Sequence, residues 1–197
     1  MSSREKILQA ISNNKPVFVD LPEIGIKKSF TEQREALHRF MKTLEGIGGK
    51  ALLVPNIDSI REDLELSVES GNYVVNTVPA LGPVNPEISP VMAAGALEPV
   101  YKTYIEATLG VAENGAVWLY ESQVKNRLLP FICQHLIICL DAKMIVPTLH
   151  EAYEQIDVAK EGYGVFLAGP SKTADIEQSL VIGAHGARSL LVYLLDT

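Results

Sequence analysis

The chain has 197 residues and a mass of 21.5 kDa, the size of one α/β domain rather than two. Apolar residues make up 47% of it, which supports a large buried core and excludes a disordered chain. The formal charge is −7, from 17 basic and 24 acidic residues, and this excludes a general nucleic-acid binder, because neutralising phosphates requires a basic face.

Two helices are predicted in the first quarter of the chain. Ser2 and Glu5 have the spacing of a capping box ahead of a short opening helix, and Ser29 and Glu32 repeat that spacing ahead of a second helix. The segment 15–30 contains two prolines, which predicts an extended connector. The second helix carries one apolar stripe and then meets three glycines. The stripe is Leu37, Phe40, Met41 and Leu44, and the glycines are Gly46, Gly48 and Gly49.

A strand–helix–strand alternation follows these helices. An apolar strand at Ala51–Val54 leads to a helix that Asp58 or Ser59 caps, and Tyr73–Val75 is the next strand. Alternation of this kind predicts an α/β fold in which a mainly parallel sheet carries helices on its faces.

The composition changes between Val78 and Pro99. Five prolines fall within these 22 residues, so no regular element is expected there beyond a brief turn. A loop of this length inside a compact domain is typical of a lid or a partner surface, and a flexible insertion is the alternative. The chain is therefore divided into an N-terminal helix and connector, 1–30, and a single domain, 31–197, which contains the proline-rich loop 78–99.

Regular elements are predicted again after the loop. The strands are Ala116–Tyr120, Leu136–Leu140, Met144–Val146, Gly164–Ala168 and Ser189–Leu195. Thr148, with Glu151 in the box position, caps a helix that runs to about Val158. The residues 169–173 turn the chain into a further helix, predicted over Ala174–Ile182, and a second sharp turn at 183–186 precedes the last strand.

The two cysteines, Cys133 and Cys139, lie in the longest uncharged apolar stretch, Leu128–Leu140. We expect them to be small buried thiols, because two cysteines are too few for a disulfide framework or a four-thiolate cluster. These 13 residues are too short to span a bilayer, and the N-terminus lacks the apolar core of a signal peptide. A cytoplasmic protein with no membrane span and no metal site is therefore expected.

The turn at 169–175 is the first of two glycine-containing turns that could bind a ligand. If a helix begins there, its free N–H groups and positive dipole end suit an anion. Ser171 and Thr173 would add hydroxyl donors and Lys172 a charge, whereas Asp175 in the first turn is equally compatible with simple capping. The spacing differs from that of a P-loop.

The second turn is 183–188, in which Gly183 and Gly186 bracket His185. A histidine in this position can donate a hydrogen bond or shuttle a proton, and no partner spacing supports a metal. Arg188 is a natural fork for a carboxylate or phosphate. We predict that the two turns face one another and form one anion pocket with Glu113 nearby, although a parallel final strand would place them at opposite edges of a sheet.

Two further segments carry polar residues next to apolar strands. Glu113, Asn114 and Gly115 precede a strand and are typical of a hairpin turn, but a desolvated carboxylate there could also act as a nucleophile or general base. Arg127 places a positive charge ahead of the predicted strand that follows His135.

Four segments together resemble a known family. They are E-A-T-L-G-V-A-E-N-G-A-V at 106–117, R-x-x-P-x-x-x-x-H from Arg127 to His135, G-P-S-K-T-A-D-I-E at 169–177 and G-A-H-G-A-R-S-L at 183–190. They are similar to the LUD domain, which is found in lactate utilization protein C, and the resemblance is dense over about residues 100–196. One departure is Ala187, where the family commonly has proline.

The resemblance implies a three-layer αβα, Rossmann-like sandwich of the NagB/RpiA/CoA-transferase-like type. Together with the residue chemistry above, it defines the expected site. The expected anion or ligand-binding residues are Thr108, Asn114, Arg127, Gly169, Ser171, Lys172, Thr173, Asp175, Gly183, Gly186 and Arg188, and the candidates for catalysis are Glu113 and His185.

The resemblance also implies a role in the oxidation of L-lactate to pyruvate, alongside two iron–sulfur proteins that would carry the electrons. This chain would bind no cofactor itself, and a small anionic ligand and a homo-oligomer are both left open. The alternative is a free-standing acyl- or phosphoryl-group transferase or ligase that binds a nucleotide or CoA. It depends on the likeness of 113–115 to the S-E-N-G turn of CoA transferases, although Ala112 stands here in place of serine.

Overall fold

The computed structural model describes residues 2–20, 22, 32–84, 88–159, 161–176, 179–183 and 185–196. The helices in these residues are α1 (Ser3–Asn13), α2 (Gln33–Gly46), α3 (Asp58–Glu69), α4 (Ala94–Leu97), α5 (Glu121–Val124), α6 (Leu129–Ile132) and α7 (Leu149–Gln155). The strands are β1 (Lys50–Val54), β2 (Val74–Asn76), β3 (Lys102–Glu106), β4 (Leu109–Val111), β5 (Ala116–Tyr120), β6 (His135–Asp141), β7 (Ile145–Val146), β8 (Gly164–Ala168), β9 (Lys172–Ile176), β10 (Ser179–Ile182) and β11 (Ser189–Leu195).

A five-stranded parallel sheet forms the centre of the fold, in the order β1-β11-β6-β3-β2. β6 and β11 lie in its middle and are nearly continuous runs of apolar residues, as expected for strands covered on both faces. The predicted α/β class, with a mainly parallel central sheet flanked by helices, is confirmed.

The two faces of the central sheet are covered differently. On one face α3 packs Ile60 and Leu64 against Tyr104 and Ile137 of the sheet. On the other face α2 and a second sheet share one core, in which Phe40 and Leu44 of α2 are completely buried. The apolar stripe predicted for the second helix is therefore its core-facing side.

The second sheet has four strands in the order β7-β4-β5-β8. β4 and β5 form an antiparallel hairpin, and β8 pairs antiparallel with β5. α7 covers the outer face, where Trp118 and Ile156 are buried. Gly164–Ala168 is a strand as predicted, but it lies outside the parallel central sheet, because an apolar run does not reveal the direction or the partner of a strand.

The hairpin β9–β10 replaces the helix predicted over Ala174–Ile182, and that prediction is wrong. Lys172 pairs with Ile182 and Thr173 with Val181 in an antiparallel ladder. Ile176, Leu180 and Val181 have helical spacing, but the stretch 173–176 also alternates with the period of a strand. The pairing of β9 with β10 stabilises the strands, and this pairing cannot be recognised from the periodicity of one segment.

The capping predictions are confirmed at two helices and shifted at a third. Ser2 Oγ accepts a hydrogen bond from Glu5 N, Ser2 N donates to the Glu5 carboxylate, and Thr148 Oγ1 accepts from Glu151 N. α3 is preceded by Ile57 rather than capped by Asp58 or Ser59. Ser29 lies outside the described residues. α7 ends at Gln155, earlier than expected, and α1 has no buried residue.

The described parts of the proline-rich loop, 78–84 and 88–99, are attached to the domain. Ile88 and Leu97 are buried in the main core, and the buried side chain of Asn126 donates to the carbonyls of Ser89, Pro90 and Met92. Two short helical turns interrupt the loop, at Pro79–Leu81 and Ala94–Leu97. Whether the loop is a partner surface stays a prediction.

Both cysteines are buried and free, as predicted. Among the helices of the described segments, none has the length and apolar character needed to cross a bilayer. Within the same segments, no three His, Cys, Asp or Glu side chains are grouped as metal ligands would be.

Candidate functional site

The two glycine-containing turns predicted to share a pocket lie against each other. Ser171 N donates to Ala187 O at 2.9 Å, and Gly183 N donates to Ser171 O at 2.9 Å. The turns meet because the β9–β10 hairpin returns the chain to its starting point, which a helix of the same length would not do. The predicted proximity of the turns is therefore correct, and a hairpin rather than the predicted helix produces it.

The contact between the turns requires small residues. A Cβ at Gly186 would stand 3.0 Å from Ser171 Cβ and 3.1 Å from Phe131 O, and Gly183 has a φ of +76°. His185 lies between these glycines and is exposed. Ala187, at the position where the family commonly has proline, is buried and supplies the carbonyl that accepts from Ser171. The turns therefore form a packed backbone junction from which His185 projects.

Glu113 lies at the same end of the second sheet as Gly169, but its carboxylate is held on the side of the other edge strand, β7. Its Oε1 accepts a hydrogen bond from Leu149 N at 2.7 Å, just after the edge strand β7. The turn that contains Glu113 joins the two middle strands, and Ala116 after it pairs with Ala168, directly before Gly169. Asn114 Oδ1 accepts from Ala116 N within the β4–β5 turn, as its hairpin interpretation predicted. A catalytic role of Glu113 stays a prediction.

Two other predicted ligand-binding residues are engaged within the protein. Arg127 forms a two-pronged ion pair with Glu121, with Nε–Oε1 at 2.8 Å and Nη2–Oε2 at 2.9 Å, and lies over the ring of Tyr163. Thr108 Oγ1 is hydrogen-bonded to Gln123 Oε1 at 3.1 Å. The Arg127 ion pair is exposed, so a ligand could reach it only in competition with Glu121.

The remaining predicted residues lie on or beside the β9–β10 hairpin. Lys172 is exposed, and Thr173 takes part in the ladder. The Asp175 side chain lies outside what the structure describes. Gly169 has a φ of +73° and approaches the carbonyl of Ile47. Arg188 is exposed, and its backbone N donates to Gln134 O at 2.8 Å, which places the second turn at the start of the central sheet.

A cleft of about 480 Å³ opens at this same amino-terminal edge of the central sheet. Its floor is the start of four strands, and its roof is the C-terminal half of α3 with the turn that follows it. The floor residues are Lys50, Tyr101, Lys102, His135, Ile137, Ser189, Leu190 and Leu191, and the roof residues are Leu66, Ser67, Ser70 and Asn72. Open α/β sheets usually bind ligands at the carboxyl edge, so this cleft is at the less common end.

His135 and Ser189 form a hydrogen-bonded pair in the floor. His135 Nδ1 lies 2.8 Å from Ser189 Oγ, because the two residues face each other as the first pair of the β6–β11 ladder. Burial lowers the pKa of His135, and the charges of Lys102 and Arg188 lower that pKa further. The imidazole is therefore neutral at pH 7, and the pair keeps a free N–H or O–H donor whichever tautomer is present.

Lys102 and Asp63 form a partly buried ion pair beside that histidine. Lys102 Nζ lies 2.8 and 2.9 Å from the two oxygens of Asp63 and 2.9 Å from Ser67 Oγ. Tyr104 donates to the same carboxylate at 2.7 Å, and burial raises the pKa of the Tyr104 phenol. Asp63 thus neutralises Lys102, so Lys102 leaves little positive charge for a ligand.

Most of this cleft could not be predicted from the sequence. His135 and Ser189 stand in two of the motifs of the LUD resemblance, but neither was predicted to bind a ligand, and Lys50 and Lys102 stand in none of them. One signal was available: each of these four is a polar residue at the first position of a strand of the parallel sheet. That signal can be used only when the strand order is known, because the four strands are far apart along the chain.

The fold is that of an α/β protein with a parallel central sheet, a second, mixed sheet, and a cleft of polar and apolar residues between the edge of the central sheet and a helix. Residues 101–195 of this chain match the LUD domain, which confirms the resemblance seen in the sequence. The matched part begins just before β3 and ends with β11, so it includes the two glycine turns, His135 and Ser189 but not α1–α3.

Relatives with similar sequences are named for lactate utilization. Lactate utilization protein C of Bacillus pumilus is 36% identical over 93 residues, which are 44% of this chain and 38% of the relative. Lactate utilization protein C 1 of Bacillus mycoides is 36% identical over 100 residues, 48% of this chain and 42% of the relative. The chain thus matches about two fifths of the length of these relatives.

A solved structure shares the fold. The crystal structure of a DUF162 family protein from Deinococcus radiodurans has a TM-score of 0.62 and covers 84% of this chain and 99% of its own. The two sequences are 19% identical, so this likeness concerns the fold alone.

Proposed function

We propose that this protein is a component of an L-lactate utilization system and acts with two iron–sulfur partner proteins in the oxidation of L-lactate to pyruvate. The observation that carries the proposal is the LUD match over residues 101–195, together with relatives named lactate utilization protein C. Its own part in the system is that of a subunit without redox cofactor, in the cytoplasm.

The cysteines support a division of labour in which the partners hold the clusters. The whole chain has two cysteines, fewer than the four thiolates that usually hold an iron–sulfur cluster. Burial raises the pKa of both Cys133 and Cys139 to about 12, so neither is a ready thiolate ligand. The electrons of lactate oxidation would then pass through the partner proteins.

Deletion of the gene tests this function directly. We expect the deletion strain of the source organism to lose growth on L-lactate as the sole carbon source while it retains growth on pyruvate. A plasmid copy of the gene should restore growth, and two neighbouring reading frames rich in cysteine are expected beside it. Undiminished growth of the deletion strain on L-lactate would show that the protein is not a required component.

The partnership has its own test, in which the tagged protein is recovered from cells grown on L-lactate. Two iron–sulfur proteins should copurify with it. The proline-rich loop is the proposed contact surface, because Val91 at its tip is 91% exposed. Val91→Asp should reduce copurification, whereas Val158→Asp, a change at another exposed valine, should leave it unchanged. Equal recovery of the partner proteins with both variants would exclude the loop as the contact surface.

The alternative function, acyl or phosphoryl transfer, has weaker support. It needs a desolvated carboxylate beside an anion site, whereas Glu113 is exposed and its carboxylate accepts a hydrogen bond from Leu149 N. No comparable observation favours the transferase over the lactate system.

A further inference from the structure

The floor of the cleft combines a polar row with an apolar row. Lys102, His135 and Ser189 lie side by side on β3, β6 and β11, about 4.8 Å apart, because they are paired in register. Two residues further along the strands, Ile137 and Leu191 form the apolar part of the floor. Lys50 pairs with Leu191 and so stands at the end of the apolar row. A ligand that satisfies the whole floor needs an apolar body with polar atoms along one side and at one end.

The charges near the cleft favour an anion. Lys50 lines the cleft and has no ion pair among the described side chains. A Cβ at Gly48, another lining residue, would stand 3.8 Å from Lys172 Cε. Arg188 is close enough to His135 to lower the pKa of that histidine. The protein as a whole carries −7, so a local group of cations concentrates anions at this edge.

The size of the cleft argues against a very small ligand. A volume of about 480 Å³ is within the range of clefts that enclose a drug-sized molecule, roughly 300–1,000 Å³. A three-carbon acid would leave most of this volume to water. The exposed Leu66 in the roof adds apolar surface that such an acid would not cover.

We propose that this cleft binds an amphipathic organic anion, in which a carboxylate or phosphate is joined to an apolar body larger than a three-carbon acid. The anionic group lies at Lys50, the free donor of the His135–Ser189 pair binds an oxygen, and the body packs on Ile137 and Leu191. The proposal is independent of the lactate function. It assigns a ligand site to the edge of the central sheet at which β3, β6 and β11 begin.

The test uses 8-anilinonaphthalene-1-sulfonate, an amphipathic anion, as the probe in calorimetric titrations of the intact protein. We expect one saturable site whose affinity falls as salt is raised. Lys50→Gln should weaken binding about fivefold, the size expected for one exposed charge, while Lys50→Arg should retain it. Lys143→Gln removes an exposed lysine elsewhere and should have no effect. Equal affinities of the Lys50→Gln and Lys143→Gln variants would overturn the proposal.

A second pair of variants tests the location without changing charge. Ser70→Trp places an indole in the roof and should reduce binding, whereas Gln155→Trp places one at the exposed end of α7 and should not. Both positions are exposed, so both variants are expected to fold. Undiminished binding to Ser70→Trp would place the probe outside the cleft and overturn the proposal.

Competition then identifies the ligand chemistry. Phenylacetate and phenyl phosphate carry the same ring with different anions, so the better competitor distinguishes a carboxylate from a phosphate ligand. Benzyl alcohol lacks the charge, and L-lactate lacks the body, so both should compete poorly. Displacement by L-lactate as effective as that by phenylacetate would contradict the amphipathic assignment while leaving the lactate function intact.

Discussion

His135 occupies a position where several weak effects act in the same direction. Its ring packs edge-on against Tyr101, is hydrogen-bonded to Ser189 and faces the cations Lys102 and Arg188. Each cation disfavours a second positive charge, and partial burial disfavours any charge. The neutral ring is therefore a property of its neighbours rather than of histidine itself.

We expect the pKa of His135 to lie below its ordinary value of about 6.5 in the folded protein, which NMR titration of the ring would measure. Since the unfolded chain then binds the proton more readily, acidification from about pH 6.5 through the folded pKa should lower the free energy of unfolding. His135→Gln should lack this part of the pH dependence.

Arg188→Gln tests one cause of the lowered His135 pKa. Removing this exposed cation should raise the His135 pKa toward its ordinary value, because the repulsion between Arg188 and the protonated imidazole is lost. A His135 midpoint at or above that of a free histidine in the wild type would contradict the assignment.

Gly110 shows how little space separates the two sheets. A Cβ at this β4 residue would lie 2.8 Å from Leu140 Cδ2 and 3.1 Å from Phe40 Cε2. Gly110→Ala is expected to destabilise the protein by about 1–3 kcal/mol, the usual cost of overpacking a core, as measured by urea unfolding.

Gly46→Ala is the comparison for that change. Nothing lies within 4 Å of a Cβ at Gly46, in the last turn of α2, and a helical alanine is favoured over glycine by up to roughly 1 kcal/mol. We expect unchanged or raised stability. Equal destabilisation by both substitutions would contradict the packing argument.

At the scale of elements, the proline-rich loop is attached by buried apolar residues and by the buried amide of Asn126. Few backbone amides of its described parts, 78–84 and 88–99, take part in a ladder, so hydrogen exchange there should be faster than in β6 and β11 of the isolated protein. Protection equal to that of the core strands would contradict the view of the loop as a mobile or partner-binding segment.

Asn126→Ala tests how the loop is attached. It removes a buried amide that donates to three loop carbonyls, at a cost of about 2–3 kcal/mol if each lost bond contributes about 1 kcal/mol. Exchange should accelerate in 88–99 and remain slow in β6. Uniform acceleration throughout the domain would show instead that Asn126 stabilises the fold as a whole.

At the scale of the whole molecule, the proposed division of labour predicts a colourless subunit. The protein purified alone should have no flavin, haem or iron–sulfur absorbance and should not oxidise L-lactate. Because burial raises the pKa of both thiols to about 12, a thiol reagent at pH 8 should modify neither cysteine in the native protein and both after unfolding. A coloured preparation with lactate dehydrogenase activity would contradict the division of labour.

The features that could be predicted from sequence are those whose physics is local. The capping box at Ser2 and the Thr148 cap involve residues three apart, and the stripe that contains Phe40 and Leu44 follows from helical periodicity. The alternation of elements predicted an α/β fold, and the apolar surroundings of the cysteines predicted their burial. Motifs within continuous segments also carried the LUD resemblance.

Tertiary structure decided everything that depends on which strands are neighbours. An apolar run such as Gly164–Ala168 cannot reveal that it pairs antiparallel with β5, and residues 172–182 fit a helix as well as a hairpin until their two arms pair. The hairpin then brings Ser171 to Ala187, while the hydrogen bond from Leu149 N holds the Glu113 carboxylate on the β7 side of the second sheet. The cleft depends on the order β11-β6-β3, which joins Ser189, His135 and Lys102 across long stretches of chain, because sheet neighbours are chosen by the packing of the whole domain.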